Sequence, residues 1–460
     1  MSASTEHPPT DLRRAGYFTA LLLIVNLVGD GWTGRPTEFT HQLLLIPLTC
    51  AFLWFLYKLL SPARRLHPMP WTTGRALITA FTFELLFVAL YLYECRHFAA
   101  FGYQARLLPA IGILGVAVIL LALALRARVS AAFVFTATLF ASVGGLLLSI
   151  ISFPLNYLRS DMLPVILWAD QSLLRHANPY TTLHVADRLY DFPYLPGMML
   201  VFFPFAAVGL DVRFGSMAYL LAMALLIYWA ARRDRRLAVG VLLALFLLCP
   251  FLQYRHELYL EPHWFTLVLV FVLMQRRHFA WAALAFGVSM AIYQFSWILF
   301  PFFLLNAFRR RGWMEAVKLA LLAVSGALLL AGPFLRSASH RIANNTVGQW
   351  GNLSDHAQAE PMNLSYWATY LIAPDKLLRL QALLMVVIFL YCCARGRCAD
   401  LADTLRWMIV ALTAFVLFNV LVDGYFFLML LVPMLVYTCV GGGWWAEPPN
   451  VPTLSSEGAA

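Results

Sequence analysis

The sequence predicts an all-α, polytopic integral membrane protein with about 14 transmembrane helices, two large extracytoplasmic loops and cytoplasmic termini. Three observations carry this prediction. The 460 residues are 62% apolar and only 12% charged, against roughly 45–50% and about 25% in soluble domains. So little charge cannot cover a water-soluble globule of this size. Mean hydropathy is +0.74, concentrated in unbroken runs such as Ala132–Phe153 and Leu319–Phe334. Finally, the basic residues fall between alternate runs. A soluble enzyme, a disordered chain and a nucleic-acid-binding module are excluded.

A helix crosses the hydrocarbon with about 20 residues. The apolar runs place spans at 16–31, 41–59, 76–94, 107–125, 131–153, 215–231, 237–253, 262–275, 279–293, 295–308, 316–334, 377–394, 405–422 and 425–441. Alternated from a cytoplasmic N-terminus, they put Arg232–Arg236, Arg276–Arg277, Arg309–Arg311 and Arg395–Arg397 inside. Asp161, Asp170, Asp187, Asp191, Asp211, Glu257, Glu261 and Asp355 then fall outside. Cytoplasmic loops collect Lys and Arg, so the +10 formal charge reads as a topology signal. Pro196–Leu210 is apolar but short and contains Pro204. If it crossed, every later loop would invert, so it is placed as a re-entrant or interfacial helix on the outer face.

The chain divides into N-terminal helices (1–130), a loop-bearing helical region (131–441, with outer loops 154–214 and 335–376) and a cytoplasmic tail (442–460) expected to be disordered. Loops this long are usually functional or disordered. Their Trp, Tyr, Asn, Asp and His content, without Gly/Ser low complexity, favours function. Cysteine usage gives no disulfide framework, because only Cys95 falls at an external helix end. Cys392, Cys393 and Cys398 lack a fourth ligand at zinc spacing. Within the membrane, Glu84 is either functional or protonated and hydrogen-bonded inside the bundle.

The first outer loop begins with Asp161 just after a span, then presents Asp170, His176, Asn178-Pro179-Tyr180, Asp187, Asp191 and Tyr194-Leu195-Pro196. A carboxylate at a membrane surface can take a proton from a hydroxyl and orient it for attack. An external Asp can equally be a solvated loop charge, and Asn-Pro-Tyr is a turn signature whatever the function.

This loop resembles the first extracytoplasmic loop of GT-C glycosyltransferases, especially the bacterial polyprenol-phosphate-mannose-dependent mannosyltransferases. In that family an Asp follows a transmembrane helix, and a helical stretch ends in a Gly/Asn-x-Pro-Tyr-like turn. A Tyr-x-Pro-like motif then opens a short apolar segment. Asp161, Asn178-Pro179-Tyr180 and Tyr194-Leu195-Pro196 stand at the matching places. The resemblance covers roughly 131–440 and implies a GT-C-like catalytic region, with Asp161 as base and Asp170 as the alternative. Phe286–Trp313 is similar to the family's next hairpin, although Gln294 stands where a Lys is expected. The N-terminal helices are a second departure from the family pattern.

The resemblance implies transfer of a sugar, mannose or another hexose or pentose, from a polyprenyl-phosphate donor with inversion. The acceptor would be a hydroxyl of a lipid, glycan or protein at the outer face of a bacterial cytoplasmic membrane. Membrane lipids would surround the chain, and no nucleic acid is involved.

Two further clusters suit that chemistry. The segment 253–264 carries Arg255, His256, Glu257, Glu261 and His263. Arg supplies forked donors for phosphate, and Glu257 with Glu261 are candidate ligands for a divalent cation such as Mg or Mn. A polar turn anchoring two helices is the other reading, favoured for His263. The second outer loop brings His340 and Arg341 as phosphate partners, and Trp350 and Asn352 with Tyr180 and Tyr194 as sugar or acceptor contacts. Aromatic faces stack on sugar rings and amides bond their hydroxyls. Two rival functions remain from sequence. One is a transporter or flippase of lipid-linked or small polar substrates; the other is a polysaccharide polymerase or ligase.

Overall fold

A computed structural model describes residues 12–30, 39–61, 130–152, 155, 162–180, 183–185, 188–190, 192–249, 252, 259–344, 364, 368, 371–419 and 427–445. Predicted spans 76–94 and 107–125, with Glu84 and Cys95, lie outside these residues. Each of the other predicted spans overlaps a helix among the described residues. In chain order the helices are α1 (Leu12–Asp30), α2 (Phe39–Leu60), α3 (Ala131–Ser152), α4 (Met162–Leu174), α5 (Pro196–Ala207), α6 (Arg213–Ala230) and α7 (Arg236–Leu247). There follow α8 (Glu261–Gln275), α9 (Phe279–Ile292), α10 (Phe295–Arg311), α11 (Trp313–Ile342), α12 (Pro374–Ala394), α13 (Leu401–Phe418) and α14 (Leu428–Gly441). Among the described residues, α6, α11, α12 and α13 are long and apolar enough to cross a membrane.

The breaks between helices have local causes. Gly312 separates α10 from α11 at φ +85°, a conformation open to glycine and strained for other residues. Tyr293 turns extended (φ −147°, ψ 128°) between α9 and α10. Asp400 caps α13, its Oδ1 accepting from the backbone N–H of Asp403 at 2.7 Å, as short acidic side chains do at helix starts.

The tightest packing joins α9 to α11. A Cβ on Gly287 would lie 1.9 Å from the carbonyl oxygen of Ala323, and one on Gly326 2.5 Å from that of Leu284. Small residues let helix backbones approach where apolar burial alone gives no preference between protein and lipid. Gly197, at the start of α5, meets the backbone of Ala291 in the same way, at 2.6 Å. The short helix α5 is thereby seated against the end of α9.

The bundle has two chemically distinct ends. At one, the basic turns converge. Arg311 donates to the carbonyl of Arg277 at 3.4 Å, Arg310 to that of Ala399 at 2.8 Å, and Arg309 to that of Cys393. The backbone N–H of Arg232 reaches the carbonyl of Trp444 at 2.8 Å. At the opposite end, Arg213 opens α6, paired with Asp211 and donating to the carbonyl of Ile150 near the end of α3 at 3.3 Å. The end of α3 and the start of α6 therefore lie together at this end of the bundle. Although apolar, α5 does not change the alternation of helix directions.

Three features depart from expectation. The second outer loop was expected to begin at 335, but α11 continues to Ile342. No breaker follows Pro333, and Ala338 and Ile342, four residues apart, carry a buried stripe onward. Leu183–Val185 pairs antiparallel with Arg188–Tyr190, the one two-stranded sheet among the described residues, built from an alternating segment containing Val and Tyr. Trp444 and Trp445, assigned to the tail, are buried, with Trp445 bridged to Ala231.

Candidate functional site

The motif residues of the first loop meet at the end of the bundle opposite the basic turns. Asn178 opens an Asx turn, its Oδ1 accepting from the backbone N–H of Tyr180 at 3.0 Å, which follows from the affinity of short amide side chains for backbone two residues on. That turn points Tyr180 inward. Its hydroxyl donates to the carbonyl of Tyr194 at 3.0 Å, and its own carbonyl accepts from Nη1 of Arg341 at 3.0 Å. Three sequence-predicted residues, Tyr180 and Tyr194 of the first loop and Arg341 of the last turn of α11, are thus brought together. Tyr180 is fully buried, with its ring edge-on to Phe192 and Phe334. In this arrangement it clamps the loop to α11 and offers no open face for a sugar.

From Tyr194 a line of rings runs into the bundle. Tyr194 lies 4.7 Å from Tyr259, and Tyr259 5.7 Å from Tyr293, centroid to centroid. The hydroxyls of Tyr259 and Tyr293 are 3.4 Å apart. His263 packs on Tyr293, and its Nδ1 lies 3.2 Å from the hydroxyl of Ser289 and 3.3 Å from that of Ser296. The two serines bond each other at 2.8 Å. This buried triad ties the start of α8 to the end of α9 and the start of α10.

Sequence reasoning passed over Ser289, Ser296, Tyr259 and Tyr293. The available signal was local: Tyr259 and His263 are one helical turn apart, and Ser289 and Ser296 flank the only non-helical residues of an apolar hairpin.

Asp170 is the unusual member. It sits on α4 with no exposure, and neither carboxyl oxygen has a hydrogen-bond partner among the described residues. Burial pushes its pKa up from 3.8 to about 8, because an unpaired charge is costly away from water. Glu261, in the first turn of α8, is also buried. It accepts from the hydroxyl of Ser216, and its Oε2 has no partner among the described residues. A carboxylate with a spare oxygen suits a hard cation, but no three His, Cys, Asp or Glu side chains gather at one point among the described residues.

The remaining predicted positions separate. His340 is exposed in the last turn of α11, its Nδ1 3.2 Å from Nδ2 of Asn344. Gln294 is partly buried between α9 and α10, with its Oε1 lacking a partner among the described residues. Asp161, Arg255, His256, Glu257, Trp350 and Asn352 lie outside the described residues. An apolar cavity of about 540 Å³ between α10, α11 and α12 lies beside Arg309, at the basic end, and so belongs to neither loop. Compared with known protein families, with curated proteins and with solved structures, the chain matches none.

Proposed function

We propose that the chain is a membrane glycosyltransferase of the GT-C type, with about 14 transmembrane helices, acting at the outer face of a bacterial cytoplasmic membrane. It moves a sugar from a polyprenyl-phosphate donor to an acceptor hydroxyl with inversion. Asp161, or Asp170 in its place, takes the proton from that hydroxyl as it attacks the anomeric carbon. Polyprenyl phosphate leaves, its developing charge met by cations from Arg255, His256, His340 and Arg341.

The observation that carries this reading is the carboxyl of Asp170. It is buried on the first outer loop without a partner among the described residues, and a pKa near 8 lets it exchange a proton close to neutrality, as general acid–base chemistry requires. Helix lengths support a recessed site. The 15 residues of α8 and 14 of α9 span only about 21–23 Å, short of the roughly 30 Å hydrocarbon. With their Arg276–Arg277 turn at the inner boundary, His263 and Ser289 sit below the outer one. A lipid-borne donor can reach that depth without leaving the bilayer.

Asp161→Asn and Asp170→Asn, each checked for folding by size-exclusion chromatography, test the assignment. The variant that loses sugar transfer identifies the base. Full activity in both removes it.

The same buried carboxyls, Asp170 and Glu261, favour a second reading, a proton-coupled transporter of lipid-linked or small polar substrates. Activity in detergent, where no gradient exists, separates the two.

A further inference from the structure

At the basic end of the bundle, away from every residue discussed above as catalytic, lies a second polar cavity of about 340 Å³. This volume is at the small end of the range for small-molecule sites. Its wall includes Gln275, Arg277, Asn306, Arg310, Asp400 and Trp445, drawn from α8, α10, the α12–α13 turn and the end of α14.

The chemistry of that wall is unbalanced toward donors. Among the described residues neither Arg277 nor Arg310 forms a close ion pair; the charge of Asp400 acts on Arg310 from farther off and is opposed by Arg277 and Arg311. Arg310 is held in place by its Nε, which donates to the carbonyl of Ala399. The backbone of Arg277 adopts φ +63°, a conformation uncommon for a residue with a side chain. It is kept there by its N–H bond to the Met274 carbonyl and by the bond from Arg311 to its own carbonyl. Trp445 is 2% exposed, and its indole N–H has no acceptor among the described residues.

Against these donors stands one carboxylate, Asp400, with one oxygen engaged in capping α13. Two guanidinium groups and an unmatched indole N–H around a cavity call for an anion with several acceptor oxygens. Asp400, which interacts electrostatically with Arg310, and Gln275 also line the cavity, and both side chains suit hydroxyl groups carried by that anion.

The geometry points to a binding site for a hydroxylated phosphate ester between Arg277, Arg310 and Trp445, on the face that the basic loops assign to the cytoplasm. Two sources share this chemistry: the headgroup of an anionic lipid such as phosphatidylglycerol, and a free polyol or sugar phosphate. The site is independent of the outer-face activity and stands or falls separately from it.

The test uses the purified full-length chain in a zwitterionic detergent. One arm titrates glycerol 1-phosphate and follows thermal unfolding; the other counts phosphatidylglycerol molecules retained in mixed micelles by native mass spectrometry. Saturable stabilisation in the first arm assigns a free ester, and retention only in the second assigns a lipid headgroup. In either arm Arg277→Gln and Arg310→Gln are expected to weaken binding at least tenfold. Trp445→Phe, which keeps an aromatic ring and removes the N–H, weakens it severalfold. Arg379→Gln, an exposed pair with Asp375, leaves it unchanged. If Arg310→Gln does not fold, Arg277→Gln and Trp445→Phe carry the test. No saturable binding in either arm, or equal binding by wild type and both of these variants, overturns the proposal.

Discussion

The hydroxyl of Tyr180 donates to the backbone carbonyl of Tyr194, 3.0 Å away, while the carbonyl of Tyr180 accepts from Arg341. Through its hydroxyl Tyr180 closes the loop on itself, and through its backbone carbonyl it ties the loop to α11. Tyr180→Phe keeps the ring contacts with Phe192 and Phe334 but takes this donor from the partly buried carbonyl of Tyr194. The expected loss is about 1–3 kcal/mol, read as a lower midpoint in detergent thermal unfolding. Arg341→Lys, which lacks the planar fork, lowers it less.

Asp170 makes a pH-dependent prediction. Its folded-state pKa, about 8, lies above the ordinary value of 3.8, so the native state holds a proton that the unfolded state releases. Stability therefore falls as pH rises through the window from about 4 to about 8, by up to about 1.4 kcal/mol per unit. Below that window the residue contributes no difference. Asp170→Asn removes the penalty. Its unfolding midpoint exceeds that of wild type at pH 8 and converges with it at pH 4; parallel curves at all pH values would contradict the burial of an unpaired carboxyl.

The close approach of α9 and α11 sets a steric prediction. Gly287→Val has nowhere to place its side chain, given the carbonyl of Ala323 1.9 Å from the site of a Cβ. We expect a loss of at least about 3 kcal/mol and material that aggregates on extraction. Gly16→Ala, with nothing within 4 Å of the new methyl, is neutral or stabilising by up to about 1 kcal/mol.

His263, Ser289 and Ser296 form one hydrogen-bonded unit, so their energies are not additive. His263→Phe retains the packing on Tyr293 and loses the bonds to both serines. Ser296→Ala should cost less in the His263→Phe background than in wild type, with a coupling of about 0.5–3 kcal/mol. A double-mutant cycle by chemical denaturation in mixed micelles measures it. Zero coupling would mean that the triad is three separate contacts.

Much of the helical architecture was legible in the sequence because apolar runs and basic turns are local signals. The α8–α9 turn at Arg276–Arg277 and the α10–α11 turn at Gly312 need no knowledge of distant residues. Short length, Pro204 and the charge of the later loops set Pro196–Leu210 off the alternation, and the Arg213–Ile150 contact brings the start of α6 to the end of α3. What the sequence concealed is non-local. Ser289 and Ser296 look like small residues in apolar helices until His263 is brought to them across the bundle. Tyr180 and Tyr194 were chosen as sugar contacts because they are aromatic residues in an outer loop, whereas burial makes Tyr180 a clamp. The continuation of α11 to Ile342 was hidden by the polar residues Arg336, Ser337 and Ser339, which end the apolar run without ending the helix.

Sugar transfer from a lipid-linked donor is tested most directly by supplying radiolabelled polyprenyl-phosphate mannose, with hexose and pentose counterparts in parallel, to the purified chain in detergent. A heat-treated membrane extract serves as the source of acceptors. Label from at least one donor is expected to move to a new lipid, glycan or protein product, and Asp161→Asn or Asp170→Asn to stop it. Intact donor after prolonged incubation, alongside gradient-dependent uptake of solute by the same protein in vesicles, would contradict it.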